Sequence, residues 1–247
     1  MTDRDIAPPL RLGFLYPGHS AEDDLALLAG KLSAPVEAQV AITSVGEDAH
    51  RVDALLDLGS MERLAEGIAA LRGVTAVVWA CTSGSFVFGW DGARQQADDL
   101  ERVAGVPASS TSLAFVSAAR ALGVTRVAVA ATYPADVTER FRDFLTAGGL
   151  DVTGLTSCGI ITAEEVGTVG TKVVAEMTRA ADRAGAEAVL LPDTALHTVA
   201  CLPALEQAVG KPVLTANQVS VWEGLRLAGR TDISADAGML FKSAQPG

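Results

Sequence analysis

The chain has 247 residues, 49% of them hydrophobic, enough to fill a sizeable core. Its formal net charge of −11 and lack of a basic cluster exclude nucleic acid as a partner, and no run approaches the roughly 18 apolar residues that read as a membrane span. Residues 1–9 carry Asp3, Arg4 and Asp5 and no apolar stretch, so no targeting segment is read there and a cytoplasmic location is expected.

In chain order, short apolar runs at 12–16, 76–80, 127–131, 188–191 and 213–215 read as strands buried on both faces, as in a covered parallel sheet. Between them, segments 60–71, 91–104, 113–122, 136–147 and 166–184 carry apolar residues at helical spacing and read as crossover helices. Gly73, Gly105, Gly123, Gly148 and Gly185 follow those helices in the manner of left-handed caps.

Internal repetition organises these elements. Ala76-Val77-Val78-Trp79-Ala80-Cys81-Thr82-Ser83 echoes Ala188-Val189-Leu190-Leu191-Pro192-Asp193-Thr194-Ala195, which sets Cys81 opposite Asp193. A strand closing on Tyr16-Pro17 echoes one closing on Tyr133-Pro134, and the stretch from Gly105 to Thr111 echoes that from Gly210 to Ala216. The expected fold is α/β: two pseudo-symmetric, Rossmann-like βαβ halves, each a roughly four-stranded parallel sheet flanked by helices. Residues 1–116 plus 218–247 form the first half and 117–217 the second. Ligands of open parallel sheets bind beyond the carboxyl ends of the strands, which places the active site between the halves.

Cys81 ends a buried strand and leads into the small polar turn Thr82-Ser83-Gly84-Ser85. Backbone amides at such a turn favour a thiolate and hold a carboxylate, whereas an ordinary cysteine is buried and inert. Asp193 reads either as the cap of a following helix or as a general acid/base facing the thiol. Tyr133 offers a phenol to a carboxylate or a developing enolate. Phe86, Phe88 and Trp90 are candidates for an apolar wall. Cys158 and Cys201 lack a polar turn and read as core or incidental, and all three thiols are expected to be free. His19, His50 and His197 form no pair with metal-ligand spacing, so no metal is expected, and capping or surface roles are expected for His19 and His197.

The segments Trp79-Ala80-Cys81-Thr82-Ser83-Gly84-Ser85, Ala131-Thr132-Tyr133-Pro134-Ala135-Asp136-Val137 and Pro212-Val213-Leu214-Thr215-Ala216-Asn217-Gln218 resemble the maleate cis-trans isomerase and arylmalonate decarboxylase branch of the aspartate/glutamate racemase superfamily. The resemblance runs from about residue 11 to 229. It implies two cysteines facing each other across a substrate: Cys81 matches the first, and Asp193 stands in place of the second. Arylmalonate decarboxylases keep only the second cysteine; this chain keeps the first. The resemblance also implies Thr82, Ser83 and Tyr133 as carboxylate or dioxyanion donors. Tyr16, Pro17, Thr194 and Ala195 complete the expected substrate-binding set.

The function so implied is a cofactor-independent isomerase of a small carboxylic acid, of the cis-trans isomerase or racemase type, with a Cys81 thiolate on one face and Asp193 on the other. Decarboxylation of an arylmalonate-type acid is the alternative. A catalytically silent carboxylate-binding protein is the alternative from another class. A homodimer through an apolar helix is compatible with such a chain.

Overall fold

The computed structural model describes residues 9–231, 234 and 236–242, so the reading of residues 1–8 lies outside the described residues. Two four-stranded, all-parallel sheets form the scaffold. The first contains β1 (Leu10–Pro17), β2 (Val36–Thr43), β3 (Ala76–Trp79) and β4 (Ala108–Ser110) in the order β2-β1-β3-β4. The second repeats the order as β6-β5-β7-β8, with β5 (Arg126–Ala131), β6 (Asp151–Ser157), β7 (Ala188–Leu191) and β8 (Val213–Thr215). In each sheet the chain runs to one side of its first strand and then returns to the other, which opens a crevice at the carboxyl ends where the order reverses.

The central strands form because their residues suit burial on both faces. Every residue of β3 and β7 is fully buried, and each large apolar side chain removed from water contributes about 1.5–3 kcal/mol. β2 and β6 are mostly half-exposed, and the sequence reading omitted them; outer strands with one wet face lack the continuous apolar run of the centre.

Parallel pairing requires crossovers. α1 (Asp23–Ala29), α2 (Val52–Leu58), α3 (Met61–Ile68), α4 (Ser83–Phe86), α5 (Gly89–Ala104) and α6 (Thr111–Ala121) serve the first half. α7 (Ala135–Ala147), α8 (Ala163–Gly167), α9 (Thr171–Ala181), α10 (Leu202–Val209) and α11 (Ala216–Leu227) follow. The stretch read as one helix over 166–184 is broken: Gly170 is extended (φ −75°, ψ 157°) and starts α9 afresh. Gly105 and Gly123 take the left-handed conformation expected of them, but after α7 it is Gly149 (φ 89°), not Gly148, that does so, and Gly185 does not. α11 leaves β8 of the second sheet and packs beside α6 on β1, β3 and β4 of the first, so one core cluster reaches both sheets.

Strand register defines which residues are equivalent. Trp79 pairs with Ser110 as Leu191 pairs with Thr215, and Cys81 and Asp193 each lie two residues further on. The two Tyr-Pro motifs, by contrast, are out of register. Leu15 pairs with Trp79 and Val129 with Leu190, which makes Tyr16 equivalent to Ala131 and leaves Tyr133 two residues beyond it. The hydrogen-bond ladder, not letter identity, sets the equivalence.

The turn after β3 is supported from below. Gly84 presents its carbonyl to Gln96 Nε2 (2.9 Å) and Trp79 Nε1 (3.3 Å), and Gln96 also donates to the Gly59 carbonyl at 2.7 Å. A Cβ on Gly59 would lie 1.9 Å from the Gly84 oxygen, a backbone atom that cannot rotate aside. Gly59→Ala is therefore expected to destabilise the protein by about 2–3 kcal/mol, read as a lower urea midpoint with unchanged slope. A variant as stable as the parent would mean that the α2–α4 contact yields freely.

Candidate functional site

A cavity of about 360 Å³ opens at the carboxyl ends of the strands. The loop after β1 contributes Tyr16, Pro17 and His19; the loop after β2 contributes Val45 to His50; β3 is followed by Cys81 and Ser83. From the second half come Asp193, Thr194 and Ala195 after β7, and Ala163 and Glu164 at the start of α8. Cys81 and Asp193 thus line one cavity from equivalent strand ends.

Cys81 is 3% exposed. Its Sγ accepts the Gly84 amide at 3.3 Å and lies 3.8 Å from Ser83 Oγ. Burial pushes the thiol up to about 12; the Gly84 and Ser83 hydrogen bonds pull the other way, and the charge of Asp193 adds to the rise. The thiolate expected from the turn amides is therefore not the resting form, because desolvation outweighs the amides of a four-residue helix. Cys158 is exposed, whereas Cys201 is half-buried and packs against the second core cluster.

Asp193 is also buried. One carboxyl oxygen accepts the Ala195 amide at 3.0 Å and the other accepts the Thr132 hydroxyl. This is a side-chain turn, not a helix cap, since the next helix begins only at Leu202. Thr132, overlooked in the sequence, occupies the register position equivalent to Pro17.

The other expected residues separate into two layers. Tyr16, Pro17, Ser83, Thr194 and Ala195 line the cavity, whereas Thr82 and Tyr133 lie behind its wall. Tyr16 donates its hydroxyl to the Thr194 carbonyl at 2.8 Å and accepts the Ala21 amide at 3.1 Å. The Tyr133 hydroxyl donates to the Pro192 carbonyl at 2.9 Å. Burial raises both phenols well above their usual range. Phe86 packs on Tyr133 and Phe141, Phe88 is exposed, and Trp90 packs at a tilt against Phe144, so none of the three lines the cavity. Its apolar side is instead Val45, Leu55 and Leu58.

His19 reaches the cavity while paired with Glu22 (2.8 Å); His197 pairs with Asp23 (3.0 Å) outside the lining. His50 is the histidine that the sequence reading passed over. It is buried in the cavity wall, its Nδ1 lies 2.9 Å from the Ile160 carbonyl, and its backbone amide donates to the Ile161 carbonyl at 2.6 Å. Nearby, Asp48 accepts the amides of Ala163 (2.9 Å) and Glu164 (3.1 Å), tying the loop after β2 to α8. Recognition of β2 would have marked both residues as strand-end positions. Among the described residues, no group of three His, Cys, Asp or Glu side chains is placed to hold a metal ion, and no helix is long and apolar enough to cross a membrane.

Two repeated parallel sheets with facing polar groups at the ends of β3 and β7 define a two-halved α/β protein of the aspartate/glutamate racemase superfamily. Within it, residues 41–241 match the family model described as arylmalonate decarboxylase, and the chain belongs to that family. The arylmalonate decarboxylase of Bordetella bronchiseptica is 34% identical over 132 residues, 53% of this chain and 55% of that protein. The maleate isomerase of Alcaligenes faecalis is 27% identical over 157 residues, 62% of this chain and 61% of that protein. The chain thus aligns with little more than half the length of either relative. A crystal structure of a liganded arylmalonate decarboxylase double mutant superposes with a TM-score of 0.81 at 26% identity, covering 96% of this chain and 100% of that one.

Two consequences of the Cys81 environment are measurable. Iodoacetamide at pH 8 is expected to modify Cys158 first and Cys81 last, because alkylation needs an accessible thiolate. Early labelling of Cys81, located by peptide mass mapping, would contradict its burial. Because its folded-state pKa lies above the ordinary value of 9.0, the unfolded chain loses this proton first as pH rises. The stability contributed by the protonated thiol is complete below about pH 8.5 and declines toward 12. Cys81→Ala should flatten that part of a stability-against-pH curve; an unchanged slope would assign it to the tyrosines alone.

Proposed function

We propose that the protein is a cofactor-independent isomerase of a small carboxylic acid, of the cis-trans isomerase or racemase type, in which Cys81 and Asp193 act on opposite faces of the substrate. The observation that carries this reading is their placement two residues beyond equivalent strands while lining one cavity.

The chemistry follows from the resting states. A substrate carboxylate is held by the hydroxyls of Ser83 and Thr194, which line the cavity beside the two groups. In the racemase form, Asp193 takes the Cα proton and the bond electrons pass into the carboxylate as an enediolate. The Cys81 thiol then delivers its proton to the opposite face, leaving a thiolate. Proton transfer from Asp193 back to Cys81 restores the start; the reverse cycle begins with the thiolate as base. In the cis-trans form, Asp193 first takes the Cys81 proton; the thiolate adds to an alkene carbon as the π electrons pass into the conjugated carboxylate, the resulting single bond rotates, and elimination returns the double bond and the thiolate, which regains its proton from Asp193.

Decarboxylation is the second reading. It is favoured by the family match and by the apolar side formed by Val45, Leu55 and Leu58, which suits expulsion of a carboxylate as CO₂. Here Cys81 alone protonates the enediolate from one face and regains its proton from solvent.

Incubation in D₂O with maleate, aspartate, hydantoin and arylmalonate compounds, followed by NMR, tests both. The isomerase reading expects deuterium at Cα, or a changed double-bond geometry, without loss of carbon. Cys81→Ser should abolish turnover, and Asp193→Asn should lower it by roughly 10² or more with binding retained. Full activity in Asp193→Asn, accompanied by CO₂ release, would discard two-faced catalysis in favour of the decarboxylase.

A further inference from the structure

The two groups beyond β3 and β7 are not tethered alike. A single torsion places Cys81 Sγ, which accepts the Gly84 amide at 3.3 Å. Asp193 has a further torsion at its carboxyl group, and torsions of that kind have broad wells. The Ala195 amide on Oδ1 (3.0 Å) comes from the same loop and engages one oxygen only. A carboxylate that must present one chosen oxygen to a ligand needs a second donor, from outside its own loop.

Thr132 is that donor, its hydroxyl bonded to Asp193 Oδ2. The residue is fully buried and lies outside the cavity lining, whereas Asp193 and Ala195 both line it. Its β-branched side chain is stiff, and its carbonyl accepts the Ile160 amide at 2.8 Å, so the hydroxyl stands on a fixed backbone. The next residue grips the same segment: the Tyr133 hydroxyl donates to the Pro192 carbonyl at 2.9 Å. Strand register supplies the contrast. The position equivalent to Thr132 in the first half is Pro17, which has no hydroxyl to offer Cys81. The repeat carries a donor at this position only where the group beyond the neighbouring strand is a carboxylate.

We infer that Thr132 is a positioning residue for Asp193, holding Oδ2 against the wall and thereby turning Oδ1 to the substrate. The inference rests on the role proposed for Asp193 and deepens it. In the racemase form the Cα–H bond breaks, its electrons pass into the substrate carboxylate, and the proton goes to Oδ1, which accepts the Ala195 amide with one lone pair and keeps the other. Without the Thr132 hydroxyl the carboxyl group spreads over orientations that miss the proton. Ser83 and Thr194, which hold the substrate carboxylate, make no contact with that hydroxyl, so binding is spared.

Thr132→Val replaces the hydroxyl by a methyl group, and Thr132→Ser keeps it. Carbon-13 NMR of the whole protein, labelled at the aspartate side-chain carboxyl carbons, reads the tether without any need for turnover. The Asp193 resonance, assigned by its loss in Asp193→Asn, should be displaced in Thr132→Val and return in Thr132→Ser. Among the maleate, aspartate, hydantoin and arylmalonate compounds, on the one the parent turns over, kcat of Thr132→Val should fall at least about tenfold with KM within about twofold, and Thr132→Ser should recover most of it. In the Asp193→Asn background Thr132→Val should lower kcat no further, whereas a fault in packing slows both backgrounds alike. An unmoved carboxyl resonance, or equal losses in the two backgrounds, overturns the inference. Loss of turnover in Asp193→Asn without loss in Thr132→Val overturns the inference alone. Full turnover in both removes Asp193 from the reaction, and with it any residue that positions it.

Discussion

The carbonyl oxygen of Thr194, one residue beyond Asp193, accepts hydrogen bonds from Tyr16 (2.8 Å) and Asn217 (3.0 Å). Tyr16 belongs to the first sheet, and Asn217 starts the helix that crosses from the second sheet to the first. The loop carrying Asp193 is therefore pinned from both halves at once. Asp24 of α1 adds a buried carboxylate that takes the amides of Thr198 (2.7 Å) and Val199 (3.1 Å) further along the same loop. Burial raises the pKa of Asp24, and those two amides partly offset the cost of its charge. These ties hold the loop between β7 and α10, whose first residues, Thr194 and Ala195, form a wall of the cavity.

That wall explains why desolvation governs the chemistry. Cys81, Tyr16 and Tyr133 are all driven toward their neutral forms by burial, and the charge of Asp193 pushes each of them the same way. The repeat has thus placed two unlike groups at equivalent positions, a thiol held protonated and a carboxyl group held by Thr132 and the Ala195 amide. In a symmetric pair of thiols, either residue can begin the cycle. Here the two groups differ, so in the two-faced cycle proposed above the forward and reverse half-reactions need not be equally fast.

Much of this was legible in the sequence, for physical reasons. Continuous apolar runs mark strands buried on both faces, and β3 and β7 are such strands, which is why the equivalence of Cys81 and Asp193 could be read by alignment of the repeat. The outer strands β2 and β6 keep a wet face and gave no comparable run, so the loop bearing Asp48 and His50 went unrecognised as a strand-end loop. The Tyr-Pro echo misled because shared letters carry no information on register; the two motifs stand two residues apart on the ladder. The turn of Asp193 was also hidden. An aspartate before small polar residues signals a cap or a side-chain turn equally well, and only the absence of a helix before Leu202 separates the two.

The cavity wall also divides by origin. Its repeated part, at the ends of β3 and β7, supplies the groups suited to moving protons. Its unrepeated part is the loop after β2, clasped to α8 through Asp48 and His50, and nothing in the second half mirrors that clasp in sequence. Residues fixed by the repeat are constrained by two sheets and their shared core, so their geometry changes only at the expense of the fold. Residues of the clasp are held by four hydrogen bonds between a loop and a five-residue helix with its approach, so their side chains can be exchanged at little cost to the core. The cavity thus joins a rigid part, fixed by the repeat, to a part whose side chains are free to vary.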